Sequence, residues 1–184
     1  MTTLADEIFA IFGRHGANAY FGERVSMTEH ALQAAHFAQQ DDAPPRLVLA
    51  ALLHDIGHLV EDVPADLADW TTDARHEEVG GRWLEERFDD GISGPVRLHV
   101  PAKRYLCATD PKYLARLSSA SVVTLRLQGG PMTSEEISRF ETERFFGDAV
   151  RVRRWDDQGK VTGLTTPGLA AYRLLIDGLQ VQPG

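Results

Sequence analysis

Apolar residues recur three and four apart along most of this chain while clean alternation is scarce, so the pattern predicts helices and no sheet. Leu4, Ile8, Ile11 and Phe12 mark a first amphipathic helix, which the Gly13 to Gly16 region ends. Tyr20-Phe21-Gly22-Glu23 reads as a loop. Ser26 and Glu29 then have the form of a capping box, which starts a helix running to about Gln39 with His30 in its first turn. Pro44 and Pro45 suit the start of a third helix. Its interior from Leu47 to Leu53 is apolar on every face, as expected at the centre of a core, and it stops on His54, Asp55 and, after Gly57, His58.

Leu59 to Thr72 reads as a loop, acidic at Glu61, Asp62, Asp66 and Asp69 and carrying Trp70. A helix over 73–88 is expected to bury Val79, Trp83 and Phe88, with His76 near its start and Gly80-Gly81 admitting a close neighbour. Pro95 should open a helix carrying His99 and Lys103 on one face, and Pro101 should kink or end it. Asp110-Pro111 restarts a helix that places Ser121 and Gln128 seven apart, until Gly129-Gly130-Pro131 ends it. Thr133 and Glu136 form a second capping box. Asp148 is expected to cap a helix that carries Val152 and Trp155 inward and finishes on Asp156 and Asp157. A last helix from about Pro167 should bury Leu169, Tyr172, Ile176 and Leu179. With no internal repeat and no dividing linker, the expectation is an all-α helical bundle forming a single domain over residues 1–184.

Composition narrows the partners. Nineteen Lys and Arg against 27 Asp and Glu give a net charge of -8, so bulk electrostatics offer nothing to nucleic acid, although a local anion pocket stays open. No run is long enough to span a membrane, and Met1 to Glu7 lacks the basic and apolar regions of a signal peptide, which points to the cytoplasm. A single cysteine, Cys107, rules out an internal disulfide and any cysteine-rich zinc site. Metal must therefore be held by imidazole and carboxylate, ligands that suit iron, manganese or zinc.

Adjacent ionisable groups at the end of a buried helix are costly unless they bind something. The chemistry collects in His30, His54, Asp55, His76, His99 and Asp156, each at or near the end of an expected helix. Asp55 sits in the middle of the set and is the natural bridge, because a bidentate carboxylate can hold two cations a few ångströms apart. His15 and His36 read as ordinary helix residues.

The order of one His, a His-Asp pair, two separated His and a distant Asp resembles the HD-domain superfamily, helical bundles that bind one or two metals and are mostly phosphohydrolases. A narrower pattern comprises Tyr20-x-x-Glu23, Ser26, His30, His54-Asp55-x-x-His58, His76, His99-x-x-x-Lys103, Ser121, Gln128-Gly129-Gly130-Pro131 and Asp156. It resembles the mixed-valent di-iron oxygenases of that superfamily, which cleave carbon–phosphorus bonds. The resemblance implies that His30, His54 and Asp156 hold one iron, His76 and His99 the other, and that Asp55 bridges them as Fe(II)/Fe(III) with O2 as co-substrate. It implies that Tyr20 occupies the second iron before substrate arrives and that Glu23 holds or replaces it. His58, Lys103, Ser121 and Gln128 would grip a small-molecule phosphonate. The expected substrate is 1-hydroxy-2-(trimethylammonio)ethylphosphonate, giving glycine betaine and phosphate. The alternatives are 2-amino-1-hydroxyethylphosphonate, giving glycine, and a phosphohydrolase acting on a phosphate ester. Oligomeric state is left open by the sequence.

Overall fold

The third helix, α3 (Pro45–Leu53), lies at the centre of the protein, and every residue from Leu47 to Leu53 is buried. Full burial of a leucine side chain contributes about 1.5–3 kcal/mol, so this short helix is among the largest single sources of stability. The computed structural model describes residues 2–60 and 75–181. The expected acidic loop residues Glu61, Asp62, Asp66 and Asp69, and Trp70, lie outside the described residues.

Around α3 pack α2 (Met27–Gln40), α6 (Asp90–Thr109) and α10 (Phe146–Gln158), with α5 (His76–Glu85) packed against α6. The first helix α1 (Leu4–His15), α4 (Gly57–Val60), α7 (Pro111–Leu114), α8 (Ser119–Leu127), α9 (Ser134–Phe140) and α11 (Arg173–Leu179) complete an all-α bundle, and a 3-10 turn over Leu169–Tyr172 leads into α11. Among the described residues there is no strand, only the isolated bridges Ala19–Ser26 and Phe88–Gln180. No described helix is long and apolar enough to cross a membrane.

Both expected capping boxes are present, Ser26 with Glu29 and Thr133 with Glu136, and Thr3 with Asp6 adds a third at α1. Several expectations from local signals fail. Pro101 neither kinks into a break nor ends its helix: α6 runs for 20 residues through both Pro95 and Pro101. An interior proline costs about 3 kcal/mol. Packing on α3, α5 and α10 of a face carrying Ile92, Val96, Val100, Ala102 and Leu106 outweighs it. Gly91 and Gly94 belong to this helix, and Asp89 caps it.

The segment after Asp110 is two helices. α7 ends at Leu114, and Ser118 caps α8 afresh by accepting from the Ser121 amide, so Gln128 is the C-cap residue of the second piece. Asp148 does not cap α10; it lies in the first turn, where its charge suits the helix dipole, and Phe145 occupies the cap position without a side-chain bond. Val79 and Trp83 are only half-buried, Trp83 beneath the Arg87 guanidinium at 4.0 Å. The buried stripe of α5 is His76, Glu77, Gly80, Gly81 and Leu84.

Two glycines set how deeply α5 enters. A Cβ on Gly57 would fall 2.0 Å from the His76 carbonyl oxygen and 2.9 Å from the Gly80 nitrogen. Only glycine permits that backbone contact, which carries His76 up to the end of α3.

Candidate metal centre and anion pocket

Five elements bring the ionisable residues together. His30 comes from the start of α2, His54 and Asp55 from the end of α3, His76 from the start of α5, His99 from mid-α6 and Asp156 from the last turn of α10. All six are buried, and His30 and His54 are fully inaccessible. Donor atoms of five of them fall into two clusters that share one residue, His30, His54 and Asp55 on one side and Asp55, His76 and His99 on the other, with Asp156 outside both.

The ring orientations are fixed from behind. His30 Nδ1 lies 2.9 Å from the Gly159 carbonyl oxygen, His54 Nδ1 2.8 Å from that of Ala51, and His99 Nδ1 2.6 Å from that of Val96. A main-chain carbonyl only accepts, so each Nδ1 carries the proton and each Nε2 offers a lone pair. The His30 and His54 Nε2 atoms stand 3.0 Å apart and those of His76 and His99 3.2 Å.

Two such lone pairs 3.0 Å apart, as on His30 and His54, call for a proton or another cation between them. Burial works against charge on His54, yet the Asp55 and Asp156 carboxylates outweigh it and push its pKa up to about 9. Burial and the charge of His54 hold His30 down to about 4.

Asp55 is placed between the pairs. Its Oδ2 lies 3.6 Å from His30 Nε2 and 3.3 Å from His54 Nε2; its Oδ1 lies 3.3 Å from His76 Nε2 and 3.5 Å from His99 Nε2. Burial would raise this carboxyl, but His54, His76 and His99 drive it well below the usual range. Asp156 Oδ1 is 3.5 Å from His30 Nε2 and 3.9 Å from His54 Nε2. Asp55 Oδ2 and Asp156 Oδ1 are buried oxygens without a hydrogen-bond partner. Such orphaned acceptors among converging imidazoles fit two divalent or trivalent cations, one per cluster, with hard oxygen and borderline nitrogen ligands suited to iron.

One wall of the same cavity carries a second chemistry. Lys103 on α6 is 2% exposed and donates to Thr124 Oγ1 at 2.6 Å and Gln128 Oε1 at 3.0 Å. Burial, reinforced by Arg153, lowers its pKa to about 7. A buried ammonium whose hydrogen bonds go only to neutral acceptors has charge left to offer an anion. Ser121 Oγ faces the cavity and accepts from Lys160 Nζ at 3.0 Å. His58 from α4 stacks on His76 with centroids 3.9 Å apart and meets Phe21 at 4.5 Å.

Tyr20 closes the other side, stacked on His30 at 3.7 Å. Burial, with the Asp156 and Asp55 charges, raises its hydroxyl well above the ordinary range. Its loop is a tight turn in which Glu23 N–H donates to Tyr20 O at 2.7 Å, with Phe21 (φ 38°) and Gly22 (φ 81°) both left-handed. A phenylalanine there stores about 1–3 kcal/mol of strain beside the site. Glu23 stands apart from the small cavity, in an adjoining cleft of 460 Å³ that also contains Tyr113, Arg116 and Arg154. Lys160 lines both spaces, 3.9 Å from Glu23 Oε1. His15 and His36 lie away from both clusters, in α1 and α2.

Sequence reasoning missed Thr124, Arg153 and Lys160. Thr124 had a signal, lying four residues before Gln128 and three after Ser121 on one helical face. Arg153 had one in its spacing to Asp156 and Asp157. Lys160, beyond the end of α10, had none.

A bundle whose interior converges on two carboxylate-linked histidine clusters is the architecture of a metal-dependent enzyme. No family model matches the chain. It is 45% identical over 164 residues, 89% of this chain and 84% of the relative, to the 1-hydroxy-2-(trimethylamino)ethylphosphonate dioxygenase (glycine-betaine-forming) of Leisingera caerulea. It is 43% identical, over 92% of this chain and 85% of the relative, to the hydroxymethylphosphonate dioxygenase of Gimesia maris. An uncharacterised protein of Acanthamoeba polyphaga mimivirus is 34% identical over 92% of this chain and 78% of its own. This chain belongs to the phosphonate dioxygenase family, and it is an oxygenase.

Proposed function

We propose that this protein, an HD-domain bundle, cleaves the carbon–phosphorus bond of 1-hydroxy-2-(trimethylammonio)ethylphosphonate, releasing inorganic phosphate and glycine betaine. The observation that carries this reading is the buried Lys103 on the same helix as His99, one turn from the histidine clusters, because it sets an anion site against a metal site. His30, His54 and Asp156 would hold one iron, His76 and His99 the other, with Asp55 between them. A mixed-valent Fe(II)/Fe(III) pair, when bound, supplies the activation of dioxygen. One O2 balances the reaction: the C1–H and C–P bonds break, one oxygen goes to the carboxylate and the other to phosphate.

The chain's own groups bind and orient. Lys103, Gln128, Ser121 and His58 take the phosphonate oxygens, charge-assisted bonds being the strong ones. Tyr20 covers the clusters until substrate enters, and Glu23 engages the ammonium end. The cavity as it stands leaves about 40 Å³, close to the volume of one water, so the Tyr20 turn must shift to admit substrate. The strain held at Phe21 makes that turn the part readiest to move. Support for the trimethylated substrate comes from the Leisingera caerulea relative; the Gimesia maris relative supports a hydroxyphosphonate without an amine.

The test is phosphate release from the trimethylated, primary-amine and unsubstituted hydroxyphosphonates, with iron and a reductant, in air and without oxygen. We expect release in air only and fastest from the trimethylated compound. Equal rates without oxygen would return the protein to the phosphohydrolases.

A further inference from the structure

Asp156 is held from behind by a residue that no ligand pattern contains. Arg153, one turn earlier on α10, is 5% exposed, and its NH1 donates to Asp156 Oδ2 at 2.6 Å. Arg153 also lines the cavity, and its other donors are taken by Tyr113 and Asp157: Nε lies 3.0 Å from the Tyr113 hydroxyl and 3.1 Å from Asp157 Oδ2, and NH2 donates to Asp157 Oδ1. Tyr113 in turn donates to Asp157 Oδ2 at 2.5 Å. Asp156 Oδ1 is left without a partner and turned toward His30 and His54.

We propose that Arg153 is a positioning residue for the metal centre, clamping the outer oxygen of Asp156 so that only Oδ1 is offered to the His30–His54 side. The inference rests on the reading of Asp156 as a ligand. The two carboxylates of the centre are thereby made unlike. Asp55 has both oxygens flanked by imidazole nitrogens and is free to span two cations. Asp156 has one oxygen occupied and serves one. A guanidinium suits this task because its planar fork reaches two carboxylates and a phenol at fixed angles, whereas a lysine ammonium is a single rotating point charge. Asp157 offsets part of the buried charge of Arg153.

Anaerobic titration of the metal-free enzyme with Fe(II), alongside thermal unfolding of the metal-free chain, tests the clamp. Arg153→Lys, which keeps the charge and loses the fork, is expected to weaken one of two binding steps about 10–100-fold, with the other step and metal-free unfolding close to wild type. Tyr113→Phe, which slackens the clamp from behind, should weaken the same step by less, and it serves where Arg153→Lys fails to fold. Wild-type affinity in both variants, or equal weakening of both steps with a lowered unfolding temperature, overturns the proposal. Asp156→Ala separates it from the reading beneath: if that variant keeps both metals, the ligand reading falls and takes the clamp with it. If Asp156→Ala loses one metal while Arg153→Lys binds as wild type does, the clamp alone falls.

Discussion

Within each histidine pair the Nε2 atoms stand at nearly the same distance, 3.0 Å for His30–His54 and 3.2 Å for His76–His99, on supports of different kinds. His30 and His54 sit at zero exposure, on helices α2 and α3 that pack on each other and on α10, and both rings are pinned by main-chain carbonyls. Gly159 lets the end of α10 come close enough to do this, since a Cβ there would lie 3.0 Å from the His30 carbonyl oxygen. His99 is pinned in the same way, but His76 opens its helix. The cap residue before it, Arg75, is left-handed and makes no side-chain cap bond. His76 Nδ1 faces the Glu77 carboxylate at 3.5 Å, and both residues are buried. The difference teaches that identical donor atoms need not bind equally. A ring held by fixed main-chain carbonyls costs less to order than one facing a rotatable carboxylate, so the His30–His54 side should be the tighter of the two.

Removing the group common to both sides has the largest expected effect. Asp55→Ala deletes the carboxylate that lies within 3.6 Å of all four imidazole nitrogens, which restores unscreened repulsion between two cations. On the di-iron reading proposed above, both metals should be lost and activity should fall to background, as metal analysis of the purified protein will show. Two irons retained in this variant would mean that the sides are independent and that the comparison has no shared centre.

A gentler change acts on one side only. Glu77→Gln keeps the shape of the side chain and removes the charge facing His76. It should weaken the looser metal step about 10–100-fold and leave the tighter one in place, read by two-step anaerobic Fe(II) titration. Movement of the tighter step instead would reverse the assignment of stiff and loose sides.

Much of this architecture was legible because its signals are local. The capping boxes at Ser26 and Thr133 need only residues three apart, and the apolar run of α3 ending on His54-Asp55 announces a buried helix with an ionisable tip. What was not legible depends on distant neighbours. Pro101 breaks isolated helices, but here three packed helices hold it in line. The split between α7 and α8 has its signal in Ser118, a weaker cue than Asp110-Pro111. Lys160 reaches Ser121 from 39 residues away, a contact no spacing rule contains. Glu23 was read with Tyr20 as one gate, yet the two side chains open onto different spaces, with the Lys160 ammonium beside both.

The smallest expected effect concerns Lys103, which rides the same helix as His99 and is the anion grip in the function proposed above. Burial and the neighbouring Arg153 lower its pKa to about 7, with Asp156 and Asp157 acting in the opposite direction. Cations bound at the clusters would lower it further. The sign follows directly: below that pKa the ammonium is charged and attracts a phosphonate dianion, and above it the neutral amine does not. Binding that selects the charged form weakens in proportion to its remaining population, so KM should rise by roughly 10-fold between pH 6 and pH 8 if the midpoint is 7. The phosphonate's own second ionisation works the other way, since it gains charge as pH rises. Lys103→Met isolates the two: it retains the substrate's titration and loses the enzyme's. The wild-type-to-variant ratio of kcat/KM should therefore decline with pH across this range. A ratio flat from pH 6 to pH 8 would place Lys103 outside the anion site.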